Sequence, residues 1–138
     1  MGKILVLDDQ AVNREFLTEL LQYGGHSVLE ASEGNAALVL VRVERPDLVI
    51  ADVLMPKMDG YEFVRQLRSD PAIRSTQVMF YTATYNVSEA RTLANACGVS
   101  HILTKPAEPE VLLGIVSAAL SSVLGMFSSL EVEVLRPT

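Results

Sequence analysis

Short uncharged apolar runs alternate along the chain with longer stretches in which apolar residues recur every three or four positions. Ile4-Leu5-Val6-Leu7 and the run from Asp47 to Ala51 read as strands, their continuous apolar character being that of strands buried on both faces. Ser27 to Ala31, Gln77 to Tyr81 and His101-Ile102-Leu103 read as three more. Between them, Val12, Phe16, Leu17, Leu20 and Leu21 fall at helical spacing, and Gly24-Gly25 supplies a stop. A second helix opens at Ser32-Glu33-Gly34, carries Ala36, Ala37, Leu40 and Val41, and closes at Arg45-Pro46. Tyr61, Phe63, Val64 and Leu67 mark a third, ending before Pro71; Ala90, Leu93, Ala94 and Cys97 mark a fourth, stopped by Gly98. A last helix starts near Glu108 and runs at least to Leu120. Five strand–helix repeats predict a parallel sheet with right-handed crossovers. The expected organisation is one three-layer α/β domain over residues 1–120 and a helical extension or tail over 121–138.

Composition narrows the function classes. The 138 residues suffice for one hydrophobic core, and an apolar share of 49% argues against disorder. With 17 acidic against 11 basic side chains, the net charge of −6 argues against a nucleic-acid-binding surface, which needs clustered Lys and Arg. Cys97 is the one cysteine, so no intramolecular disulfide can form, and it reads as a small buried hydrophobe in a reducing compartment. Met1-Gly2-Lys3 leads straight into the first strand without a signal-peptide pattern, so a cytoplasmic location is expected. Val111 to Leu130 carries no formal charge and has the length of a membrane span, but its serines, Gly114, Gly125 and lack of basic flanks weigh against that reading.

The polar residues matter by where they fall. In an open parallel sheet, ligands bind outside the carboxyl ends of the strands. The first strand ends in Asp8 and Asp9, the third in Asp52, the fourth in Thr82 and the fifth in Lys105. Singly these are weak signals: adjacent acids often make a solvated loop, Thr82 reads equally as a helix cap, and Lys105 as a surface lysine. Together, on one rim, they make a site. Clustered carboxylates repel unless a cation intervenes. Oxygen ligands in an incomplete cage suit Mg²⁺, and Lys105 is the other available neutraliser. A carboxylate beside a metal, a hydroxyl and an ammonium is arranged to attack a phosphoryl group. No P-loop motif and no GxGxxG follows the first strand, and no Ser-His-Asp set is evident.

Asp8-Asp9, Asp52 with Met55-Pro56-x-Met58-Asp59-Gly60, Thr82-Ala83 and Lys105-Pro106 together resemble the receiver domain of bacterial two-component response regulators, over roughly residues 3 to 120. The resemblance implies a flavodoxin-like (βα)5 doubly wound sheet of five parallel strands. It implies that Asp52 takes a phosphoryl group from the phosphohistidine of a histidine kinase or phosphotransfer protein. Asp9, Asp52 and the backbone carbonyl of Leu54 match direct Mg²⁺ ligands, and Asp8 the partner that holds metal-bound water. Thr82 matches the hydroxyl that moves toward the phosphoryl oxygen, Lys105 the ammonium that pairs with it, and Lys105-Pro106 the family's cis peptide. The output expected is a changed contact with a downstream protein or adjacent domain. One departure is Ile102, where the family often has Tyr or Phe as a switch; Tyr85 is the nearby aromatic that could serve that surface. Leu54 and Thr84 flank the phosphoryl position without acid or base character, which implies slow self-dephosphorylation. The competing reading is a receiver-like scaffold that binds without phosphorylation.

In the last helix Leu113, Val116, Leu120, Val123 and Phe127 step by three and four, the seam of a coiled coil. Leu112, Ile115, Ala119 and Met126 form a second stripe, the face expected toward the domain's own sheet. The seam predicts a helix that continues past the domain and pairs with a second copy, a homodimer; through Leu120, a widened core-facing stripe explains it equally well.

Overall fold

The structure is a computed structural model that describes residues 2–83 and 87–121, without the side chains of residues 87, 89 and 90. Its elements run β1 (Lys3–Leu7), α1 (Ala11–Tyr23), β2 (Ser27–Ala31), α2 (Gly34–Glu44), β3 (Leu48–Ala51), α3 (Gly60–Ser69), β4 (Gln77–Thr82), α4 (Val87–Ala96) and β5 (His101–Thr104). A fifth helix, α5, occupies residues 109–121. All strands are parallel in one sheet of order β2-β1-β3-β4-β5, so the chain winds outward both ways from β1 and β3. The expected (βα)5 flavodoxin-like architecture is the one observed.

Side-chain alternation divides the core in two. Ile4, Val6, Leu48, Ile50 and Met79 face one side, where Leu17 and Leu21 of α1 and Leu112, Val116 and Ala119 of α5 cover them. Leu5, Leu7, Val49, Val78 and Phe80 face the other, under α2, α3 and α4. The strands are thus buried on both faces, which is why they read as unbroken apolar runs. Phe63 and Phe80 are fully buried, each contributing about 2–3 kcal/mol of hydrophobic stabilisation.

Two sequence expectations shift. Val12 and Phe16, placed with the core stripe of the first helix, are 77% and 47% exposed; the sheet-facing residues of α1 are Leu17 and Leu21. Val116, placed on an outward seam, is fully buried against the sheet with Leu112 and Ala119, while Leu113 and Leu120 are half-buried beside them. Within the domain, that seam is a widened core-facing stripe. Val123, Met126 and Phe127 lie outside the described residues. Among the described residues no helix is long and apolar enough to cross a membrane.

Near the end of α3, Arg68 ties two connections together, the α3–β4 and α4–β5 loops. Its guanidinium donates to the carbonyl oxygens of Cys97 (3.0 Å), Arg74 (2.7 Å), Thr76 (2.6 Å) and Gly98 (3.1 Å). Burial lowers its pKa from the usual arginine range.

Candidate functional site

Strand register sets the rim. Leu7 pairs with Ala31 on one side and Ala51 on the other, so the next residues, Asp8 and Asp52, emerge side by side from β1 and β3. Thr82 pairs with Thr104 at the ends of β4 and β5, and the Lys105 N–H donates to the Thr82 carbonyl at 2.8 Å. The sheet therefore brings Asp8, Asp9, Asp52, Thr82 and Lys105 to one edge.

The contacts are specific. Lys105 Nζ donates to Asp8 Oδ2 at 2.7 Å and to Asp52 Oδ2 at 3.0 Å, bridging two carboxylates that are almost completely buried. The other oxygen of Asp8 accepts the Gln10 N–H at 2.9 Å, and that of Asp52 accepts the Leu54 N–H at 3.2 Å. Arg14 Nη1 donates to the Asp8 carbonyl at 2.8 Å, and its Nε stands 3.4 Å from Glu30 Oε1. Thr82 is fully buried, and its hydroxyl has no hydrogen-bond partner among the described residues.

Charge is the governing term. Asp8, Asp9 and Asp52 each offer a carboxylate oxygen within 4.8 Å of the others, and one ammonium faces them. Burial pulls the Lys105 pKa down, but its bonds to Asp8 and Asp52 outweigh that, and the net direction is up. The lysine is therefore a fixed cation. Three carboxylates against one such charge leave an excess of negative charge, and their all-oxygen donor set fits a hard divalent cation such as Mg²⁺. The ammonium also lies 5.6 Å from the centre of the Tyr81 ring, whose hydroxyl accepts the Ala107 N–H at 3.1 Å. That contact spans the Lys105-Pro106 bond, which is cis.

The loop after β3 is shaped by close packing. A Cβ at Gly60 would sit 2.5 Å from the Asp52 carbonyl oxygen, so only glycine lets α3 start against the residue that carries the site. Asp59 caps α3, its carboxylate accepting the Glu62 N–H at 2.8 Å. Leu54 is 59% exposed above this loop.

Not every sequence-predicted residue joins the cluster. Ile102 is half-buried on β5 and, with Arg91, Asn95, Val99 and His101, lines a 270 Å³ cavity beside α4. Pro106 is exposed. Tyr85 and Thr84 lie outside the described residues. Arg14 and Gln10 had been given no role; the available signal was a basic residue one turn into the helix that follows an acidic strand exit.

The chain matches the family model for the response regulator receiver domain over residues 4–117. It is 34% identical to protein PilH of Pseudomonas aeruginosa over 121 residues, covering 88% of this chain and 99% of that one. It is 41% identical to response regulator MprA of Mycolicibacterium vanbaalenii over 118 residues; there it spans only 50% of the relative. Among solved structures, it is similar to chemotaxis protein CheY4 of Vibrio cholerae, with TM-score 0.80, 33% identity and coverage of 86% and 98% of the two chains. A signal receiver domain of a histidine kinase from Syntrophus aciditrophicus gives TM-score 0.80 at 33% identity, covering 89% and 92%.

Proposed function

The chain belongs to the response-regulator receiver family, and from that membership we propose that Asp52 accepts a phosphoryl group in a Mg²⁺-dependent transfer. Membership itself makes the chain a component of phosphorylation-dependent two-component signalling. The observation that carries the finer reading is Lys105 Nζ, held between Asp8 at 2.7 Å and Asp52 at 3.0 Å beside the buried Thr82 hydroxyl.

An Asp52 carboxylate oxygen attacks the phosphorus of a phosphohistidine on a histidine kinase or phosphotransfer protein. The new P–O bond forms as the P–N bond breaks, and the imidazole nitrogen leaves with the electron pair. Asp8, Asp9, Asp52 and the Leu54 carbonyl would hold Mg²⁺, which supplies positive charge against the transferring oxygens. Lys105 stabilises the same oxygens from its own side. Thr82, whose hydroxyl has no other partner among the described residues, donates to one of them. The Thr82 hydroxyl thereby gains a partner in the phosphorylated state and Lys105 exchanges part of its carboxylate bonding for phosphoryl oxygen, and this difference is what biases the surrounding loops. The receiver of that bias is a downstream protein or an adjacent domain.

Incubation with acetyl phosphate and Mg²⁺ tests the reading. A phosphoryl adduct by intact mass, absent in Asp52→Asn and in the presence of chelator, is the expected result. An adduct that survives Asp52→Asn overturns it. The scaffold alternative draws on Ile102, an aliphatic side chain that cannot perform an aromatic ring flip; an adduct on Asp52 with no change in amide spectra would favour it.

A further inference from the structure

Arg14 stands near the acidic rim, yet its guanidinium donates to a main-chain carbonyl and not to a carboxylate of the cluster. It sits in the first turn of α1, its N–H bonded to the Gln10 carbonyl, and its side chain is only 19% exposed. Nη1 donates to the main-chain carbonyl of Asp8 at 2.8 Å, and Nε reaches 3.4 Å to Glu30 on the neighbouring strand β2. The turn from Asp8 to Gln10 carries two of the three clustered acids. It is held from four directions: the Asp8 N–H donates to the Ala31 carbonyl at 3.2 Å, Gln10 N–H and Lys105 Nζ donate to the Asp8 carboxylate, and Arg14 takes the Asp8 carbonyl. Of these, the Arg14 bond alone joins that carbonyl to the helix and, through Glu30, to the sheet edge.

We propose that Arg14 is a positioning residue for the acidic cluster: by fixing the Asp8 carbonyl it sets the direction in which Asp8 and Asp9 present their oxygens. Groups that orient ligands without touching a metal change its affinity by about 10–100-fold when removed. A planar guanidinium serves the carbonyl and the Glu30 carboxylate with two separate N–H groups, and a lysine ammonium has no such fork. The inference rests on the phosphoacceptor reading, since the oriented oxygens are those assigned to Mg²⁺.

The test is Mg²⁺ titration by calorimetry on the full chain, for wild type, Arg14→Met, Arg14→Lys and Glu30→Gln. Arg14→Met is expected to bind about 10-fold more weakly. Arg14→Lys should fall between it and wild type, and Glu30→Gln, which retains an acceptor for Nε, should stay within about twofold of wild type. At saturating Mg²⁺ the phosphorylation rate with acetyl phosphate should return to within about twofold of wild type, which a generally loosened fold would not allow. In metal-free protein the Gln10 amide should exchange faster in Arg14→Met, independently of any ion. Wild-type affinity in Arg14→Met, even with a lower melting temperature, overturns the positioning role and leaves the phosphoacceptor reading standing. Absence of Mg²⁺ binding by wild type removes both.

Discussion

Thr82→Val separates what the site needs from what the fold needs. The two side chains have nearly the same shape, so the substitution removes one hydroxyl and adds one methyl in a position that is fully buried. The Thr82 hydroxyl finds no partner among the described residues. A buried hydroxyl without a hydrogen bond costs about 1–3 kcal/mol, and a buried methyl in its place gains about 0.8 kcal/mol. Taking the low end of the first term, Thr82→Val should stabilise the protein by about 1–2 kcal/mol. For a domain of this size that is a melting-temperature rise of about 3–8 °C. Urea denaturation at fixed pH in the presence of chelator measures it, with an unchanged m-value showing that the unfolded state is the same. The second half of the experiment reads function: beryllofluoride with Mg²⁺ should still bind at Asp52, but the accompanying amide shifts in β4 and β5 should shrink, whereas Thr82→Ser should retain them. A loss of 1 kcal/mol or more in Thr82→Val would falsify the premise of an unpartnered hydroxyl. A full spectral response in that variant would remove Thr82 from the signalling step.

Arg68→Met should cost about 2–4 kcal/mol by urea denaturation, counting only the two partly buried bonds to Cys97 and Thr76; a loss under 1 kcal/mol means the clamp is ornamental. Gly60→Ala forces a shift of the Asp52 backbone, with about 1–3 kcal/mol of destabilisation and weaker Mg²⁺ binding measured together; unchanged Mg²⁺ affinity would show that the loop absorbs the methyl. His26 has a pKa lowered by burial, and its Nδ1 accepts the Gly2 N–H at 3.1 Å, which requires the neutral ring. Its contribution to stability is therefore present above the unfolded value of about 6.5 and lost as the pH falls below it. The stability decrease from pH 7.5 to 5.5 should be smaller in His26→Asn, and equal slopes would refute the assignment. Leu54 and Thr84 offer no acid or base to a hydrolytic water, so labelled phosphoprotein should decay over minutes or longer after rapid removal of donor; decay within seconds contradicts this.

The fold was legible because a strand covered on both faces leaves little choice of residue: Ile4 to Leu7 and Leu48 to Ala51 are apolar throughout, and parallel connectivity then follows from the intervening helices. The rim was legible for the same reason in reverse, since a carboxylate or ammonium directly after such a run has no packing role. Helix faces were less so. In α1, Val12 and Phe16 obey the helical period yet point to solvent, because two stripes a third of a turn apart share that period and only the sheet decides between them. Val116 went the other way, into the core. Arg14 left only a faint mark, a basic residue one turn past an acidic strand exit, because its partner is a backbone carbonyl, which every residue possesses.

Three features in and beside the site depart from what stability alone would choose. Three acids share one edge, a hydroxyl is buried without a partner among the described residues, and Lys57 takes a left-handed backbone at φ 68° in the loop beyond Asp52. Such departures persist only where the surroundings over-determine them, and here both faces of the sheet are sealed by core. The reading of the state is a separate matter from its creation. Ile102 stands on β5, one strand from the Asp52 strand's neighbour, with a 270 Å³ cavity between it and α4. An aliphatic chain has no ring to carry a signal from Thr82 to the surface, so under the proposed function the read-out would pass through the backbone that links them. Lys105 is the group placed to do this: it bonds to Asp52 through its ammonium and to the Thr82 carbonyl through its N–H, so under the proposed reading a phosphoryl group on Asp52 would act on both.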